Sequence, residues 1–149
     1  MNQNKPYNPP NQGPDVARAI VDKIGKLDNL AALKGQELVD YANDLGKFLK
    51  ERELKTSQIR KFLDAVKRLK YLERNDRGFD FRNEAMMIKP KLAYASGRQE
   101  NPKKPNPVRP LMDVMNICID KIRGREDFEK FGQFVEAIVA YHKYYGGNE

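Results

Sequence analysis

The chain has 149 residues, 40% of them hydrophobic and 33% charged, with one cysteine, one histidine and a net charge of +7. One Cys and one His exclude an intrachain disulfide and a structural zinc site, and no loop carries the carboxylate signature of a hard-cation site. No apolar run approaches the roughly 18 residues that span a bilayer, and Met1–Pro14 lacks the apolar core of a signal peptide, so a soluble, cytoplasmic protein is expected.

Residues 1–14 (MNQNKPYNPPNQGP) hold four prolines and little to bury, which predicts a flexible arm. From Asp15 to Glu149 the pattern is that of a single all-α domain, a compact bundle of about five to six helices. Pro14 and Asp15 suit a helix start, and Val16, Ile20, Val21 and Ile24 follow at helical spacing. Asp28 to Lys34 reads as a turn. A second helix is predicted from Gln36 to about Arg52, on the stripe Leu38, Tyr41, Leu45, Phe48, Leu49.

A third helix begins near Thr56 or Ser57, both good N-caps. Ile59, Phe62, Leu63, Val66 and Leu69 form its apolar face, leaving Arg60, Lys67 and Arg74 on one flank and Lys61 and Arg68 on the other. Asn75 to Asp80 reads as a turn. A fourth helical segment spans Phe81 to about Ser96, with a kink or a break and restart expected at Pro90. Gly97 to Pro110 holds four prolines and, after Arg98, the three bases Lys103, Lys104 and Arg109, and reads as a mobile basic loop. Leu111 to Arg123 and Glu126 to Tyr145 complete the set, the last helix stopped by Gly146 and Gly147.

The charge is concentrated. Residues 55–109 carry fifteen bases and six acids, a local +9, while the flanking segments are close to neutral. Such a stretch attracts polyanions, because each Lys or Arg that meets a phosphate releases condensed counterions. Charge alone leaves two readings open, a nucleic-acid surface and an ordinary solvated helix face.

Catalytic signatures are weak. The chain has no phosphate-cradling glycine loop, no Cys pair and no His-Glu metal helix, so no cofactor is expected. His142 sits in Ala-Tyr-His-Lys-Tyr-Tyr and is expected to be a packed or surface helix residue rather than a general base. Cys118 lies among Ile and Val and is expected in the core. Asp127 and Glu129 read as the acidic first turn of a helix. The basic helix is the stronger candidate, because Lys55, Arg60, Lys61, Lys67 and Arg68 project from one rigid rod. Lys89, Lys91 and Arg98 follow around the Pro90 break. Tyr94 between them is expected in the core rather than stacked on a base.

Three stretches, Leu54–Phe62 (LKTSQIRKF), Lys89–Arg98 (KPKLAYASGR) and Glu136–Gly147 (EAIVAYHKYYGG), together resemble the small helical subunit of type III-A (Csm-type) CRISPR effector complexes. The resemblance covers about residues 35–147. It implies a non-catalytic subunit in antiviral defence, several copies of which stack in a filament beside the backbone, repeat-guide-binding subunits. It also implies contact with the guide RNA–target RNA duplex, mainly on the target strand, with cleavage left to the backbone and large subunits. The sequence is then read by base pairing, and protein contacts go to backbone and shape. On this resemblance the RNA-contact role falls on Lys55, Ser57, Arg60, Lys61, Lys67, Arg68, Lys89, Lys91 and Arg98. Two competing readings are a purely structural protein–protein adaptor and an RNA-processing enzyme using His142.

Overall fold

The computed structural model describes residues 15–75, 78–98 and 103–147. The expected arm at 1–14, part of the turn after Asn75 and the first part of the proline-rich loop lie outside the described residues. Within them the protein is all helical: α1 (Val16–Gly25), α2 (Gly35–Glu51), α3 (Thr56–Asn75), α4 (Phe81–Met86), α5 (Ile88–Gly97), α6 (Arg109–Asp120) and α7 (Arg125–Tyr144), with a short 3-10 turn at Leu30–Ala32.

Helix starts follow local chemistry. Asp15 caps α1 by accepting from the Arg18 N–H at 3.0 Å, and Asp80 caps α4 through the Asn83 N–H at 3.0 Å. At α3 the expectation of a Thr56 or Ser57 cap is corrected. Thr56 is fully buried as the first helical residue, and the Gln58 side chain instead reaches back to accept from the Lys55 N–H at 3.1 Å. The Thr56 hydroxyl is buried without a hydrogen-bond partner among the described residues, and Gln58 does the capping from the third helical position.

The fourth predicted segment is two helices, so the described residues hold seven α-helices. The break falls at Met87, three residues before Pro90. Pro90 lacks an N–H and its ring collides with the carbonyl four residues earlier, which here belongs to Met86. Starting a new helix at Ile88 puts Pro90 in the first turn, where no such bond is made.

The turn at 28–34 is more structured than expected. Leu30 and Leu33 are buried, and the Leu30 N–H donates to the Lys121 carbonyl at 2.9 Å. Asp127, 3% exposed, accepts from the N–H groups of Ala31 (2.7 Å), Arg123 (2.9 Å) and Gly124 (3.3 Å). One carboxylate thus caps α7 and fastens the turn to it.

α7 is the central element. It packs most extensively on α2 and also meets α3, while α1 and α5 lean on α6. Phe128, Phe131, Phe134, Val135 and Ile138 are buried on it, and Phe131 meets Phe62 of α3 edge-on with ring centroids 6.3 Å apart. Leu69, half-buried, closes the predicted apolar face of α3. Two helix ends share one geometry. After α7 the Gly147 N–H reaches the His142 carbonyl and the Gly146 N–H the Lys143 carbonyl, both at 2.9 Å, with Gly146 at φ +93°. After α2 the Leu54 N–H reaches the Leu49 carbonyl at 3.0 Å and the Glu53 N–H the Lys50 carbonyl at 2.9 Å, with Glu53 at φ +65°. Both are Schellman endings.

Candidate nucleic-acid interface

The α2 ending places Leu54 in the core and turns the chain directly into α3, so Lys55 stands at the mouth of a cleft. Ser57, Gln58 and Lys61 follow on the outward face of α3, opposite the buried Ile59, Phe62 and Leu63.

α5 supplies the second wall. Ile88, Leu92 and Ser96 are its buried positions, spaced by four, so Lys91, Tyr94 and Arg98 stand on the other side at spacings of three and four. Tyr94 is 69% exposed, not a core residue, and the Arg98 guanidinium lies 5.7 Å from its ring centroid. The core expectation for Tyr94 is therefore corrected, and the signal was the Ile88-Leu92-Ser96 phase set by the restart at Ile88.

The third wall is the segment before α6. Asn106 donates to the Ser96 carbonyl at 2.8 Å and lies 3.1 Å from the Ser96 hydroxyl; its own oxygen accepts from the Val108 N–H at 3.0 Å. This segment was expected to be a mobile loop. Its described part is instead tied to α5, and Arg109 and Pro110 belong to α6. The reason is that Asn106 satisfies both sides at once, ending the loop as a helix start.

The three walls enclose about 660 Å³. Phe62, Ala65, Leu92, Ala95 and Leu111 line the interior. Arg52, Lys55, Lys61, Lys91, Arg98 and Lys104 line it with positive charge, against Glu51 and Glu53. Lys104 lies 3.4 Å from Glu53, and the Arg52 guanidinium stacks 4.7 Å from the Phe48 ring.

Five of the nine sequence-selected residues, Lys55, Ser57, Lys61, Lys91 and Arg98, thus meet in one cleft although α3 and α5 are separate in sequence. Arg60, Lys67 and Arg68 are exposed on α3 outside the cleft lining. Arg68 follows Lys61 by seven residues and continues its stripe along the helix. Lys89 is placed elsewhere: its ammonium meets Asp120 of α6 at 2.5 Å. Sequence reading missed Arg52, Gln58 and Lys104. Gln58 was legible as the third residue after Lys55, whereas Arg52 and Lys104 reach the cleft only through tertiary packing.

The other candidate groups are closed off. His142 is fully buried, and its Nε2 lies 2.6 Å from the Leu54 carbonyl, which fixes the proton on that nitrogen as the donor. Burial lowers its pKa, against the upward pull of that carbonyl, and Lys143 adds a smaller lowering. Cys118 is buried, and burial pushes its thiol pKa far up. Among the described residues no cluster of His, Cys, Asp or Glu is arranged to hold a metal ion, and no helix is long and apolar enough to cross a membrane.

Residues 32–148, which contain all three walls of the cleft, match the family model for Csm2 type III-A. The chain is also 33% identical over 99 residues to the CRISPR system Cms protein Csm2 of Streptococcus thermophilus, an alignment covering 64% of this chain and 76% of that protein. With the resemblance of its three motif stretches, its all-α architecture and a family match across most of its length, the chain belongs to the Csm2 family, the small subunit of type III-A CRISPR systems.

Proposed function

We propose that this chain is the non-catalytic, RNA-binding small subunit of a cytoplasmic type III-A CRISPR ribonucleoprotein. Several copies stack along the guide RNA–target RNA duplex, beside the backbone and large subunits, and contact mainly the target-strand backbone. The observation that carries this reading is the convergence of Lys55, Lys61, Lys91 and Arg98 from two helices on one cleft. Among the described residues, no ion pair engages Lys55, Lys61 or Lys91, so their charge is available to phosphates. Arg60, Lys67 and Arg68 extend the track along α3, while Lys89, engaged by Asp120, contributes least.

Charge reversal tests it. The double variant Lys61→Glu/Lys91→Glu is expected to weaken binding of single-stranded RNA at least tenfold at low salt and to flatten the salt dependence. Both side chains are exposed, so the fold is expected to survive, checked by circular dichroism. The same reversal at Arg60 and Lys67 is expected to have a smaller effect. RNA binding by the Lys61/Lys91 variant with the parent's affinity and salt slope sinks the cleft assignment. Co-purification with effector subunits that survives nuclease, from a chain with no RNA affinity of its own, supports the adaptor reading instead.

A further inference from the structure

A subunit that touched only the phosphate backbone would need a strip of cations on an open surface. This cleft has more: an apolar interior behind the charged rim, and a large aromatic ring standing in solvent at its edge. Phe62, Leu92, Ala95 and Leu111 line the inside, flanked by Pro105 and Pro107. At about 660 Å³ the space falls within the roughly 300–1,000 Å³ of small-molecule sites, large enough for a planar heterocycle.

Tyr94 carries the argument. Its ring is 69% exposed, although α5 offers buried positions at Ile88, Leu92 and Ser96, and it is among the exposed large hydrophobics of the protein. It borders the cleft between Lys91 and Arg98, one helical turn from each, and Arg98 lies 5.7 Å from its centroid. An aromatic ring with cations a turn away on either side is the arrangement that stacks a base while holding its flanking phosphates. Charge complementarity identifies the occupant's chemistry. Six bases against two acids line the cleft, which favours a polyanion carrying a flat apolar group over an acidic or apolar peptide.

We propose that the cleft accepts one unstacked nucleobase of single-stranded RNA, stacked on Tyr94, with the adjoining phosphates held by Lys55, Lys61, Lys91 and Arg98. This rests on the RNA-binding reading above and adds a base contact to it. The contact is tolerant of sequence, because every base presents a π-face. Ser57 and Gln58, on the α3 wall, are placed to meet the base edge. The Gln58 oxygen is already held by the Lys55 N–H, which leaves its amide N–H groups to donate.

The test compares two short RNAs, one with bases and one with the same backbone made abasic, titrated by fluorescence anisotropy against the full chain, Tyr94→Ala and Tyr94→Phe. Tyr94→Ala is expected to weaken the base-bearing RNA roughly tenfold and to leave the abasic RNA and the salt slope unchanged. Tyr94→Phe, which keeps the ring, is expected to bind as the parent does. If Tyr94→Ala binds both RNAs as the parent does, or weakens both equally, the base contact is overturned while the salt-dependent backbone reading stands. If Tyr94→Ala alters self-association or capture of a protein partner with RNA affinity unchanged, the cleft is a protein interface and the proposal is overturned. A parent chain that binds neither RNA at low salt removes the RNA-binding reading itself, and the base contact with it.

Discussion

His142 shows how one side chain holds a junction. It lies on α7, yet its ring hydrogen-bonds to the Leu54 carbonyl, the residue that joins α2 to α3, at 2.6 Å. Gly147 folds back over the same ring, so closely that a Cβ there would sit 2.2 Å from it. Desolvation favours the neutral imidazole, so the folded state binds a proton less readily than the unfolded chain, whose value is near 6.5. Where the unfolded chain binds more protons, stability rises with pH. The contribution of His142 is therefore fully present above pH 6.5 and is lost as pH falls from there through its lowered folded value. Urea unfolding at stepped pH values is expected to show stability declining below about pH 6.5, and His142→Gln is expected to remove much of that slope. A parent whose stability is flat across that window contradicts the assignment.

Glu53 makes a second residue-scale case. It occupies the left-handed position that Gly146 fills at the end of α7, and it is the only non-glycine at positive φ among the described residues. A side chain there costs about 1–2 kcal/mol, and the extra freedom of glycine in the unfolded chain takes back about 0.4–1 kcal/mol. The Glu53–Lys104 pair is exposed on both sides and its loss matters little. Glu53→Gly is thus expected to raise unfolding free energy by about 0.5–1 kcal/mol in denaturant titration. A decrease would mean that the acid does more at the cleft rim than the strain costs.

Among the elements, the α2–α7 pair is the one most constrained by close approach. Gly46 lies in the middle of α2, where glycine is otherwise unfavourable. A Cβ there would fall 2.8 Å from the His142 backbone nitrogen and 2.8 Å from the Tyr141 Cβ, so α7 itself would have to move. Beyond it, the Tyr145 hydroxyl reaches Asn43 at 2.5 Å and locks the register of the two helices. Gly46→Ala is expected to destabilise the protein by about 1–3 kcal/mol, with a matching fall in denaturation midpoint. Gly132 on α7 provides the control. A Cβ there meets only the end of the flexible Lys70 side chain, so Gly132→Ala is expected to be far milder. Equal effects at both sites would show that helix approach is not the limiting factor.

Across the whole molecule, part of the basic excess at 55–109 lines a concave surface. Local +9 charge on separate helices would bind phosphate weakly at scattered points; the fold gathers part of it in one cleft, which the proposed RNA would meet at several cations together. Four cations, Lys55, Lys61, Lys91 and Arg98, acting on single-stranded RNA predict a slope of log affinity against log salt of about −3. A slope near zero for the parent would mean that the cleft is not where the RNA lies. The C-terminal flank adds no basic charge, since residues 110–149 carry seven acids and five bases.

The sequence by itself determined most of the helices and the inward faces of α1, α2, α3 and α7, because apolar spacing and glycine stops act within a few residues of one another; the break at Met87 and the inward face of α5 lay beyond it. It also determined that the basic residues lie in the middle third, and it carried the family resemblance. The tertiary structure alone decided which of those bases share one cleft. Lys61 and Lys91 line one cleft because α3, α5 and the segment before α6 border the same space, with Asn106 tying that segment to Ser96 of α5. Lys89 was withdrawn by Asp120, thirty-one positions away, and the exposure of Tyr94 followed from where Pro90 forced the helix to restart. Periodicity reports which side of a helix is apolar; it carries no information on which polar neighbour another helix brings to the opposite side.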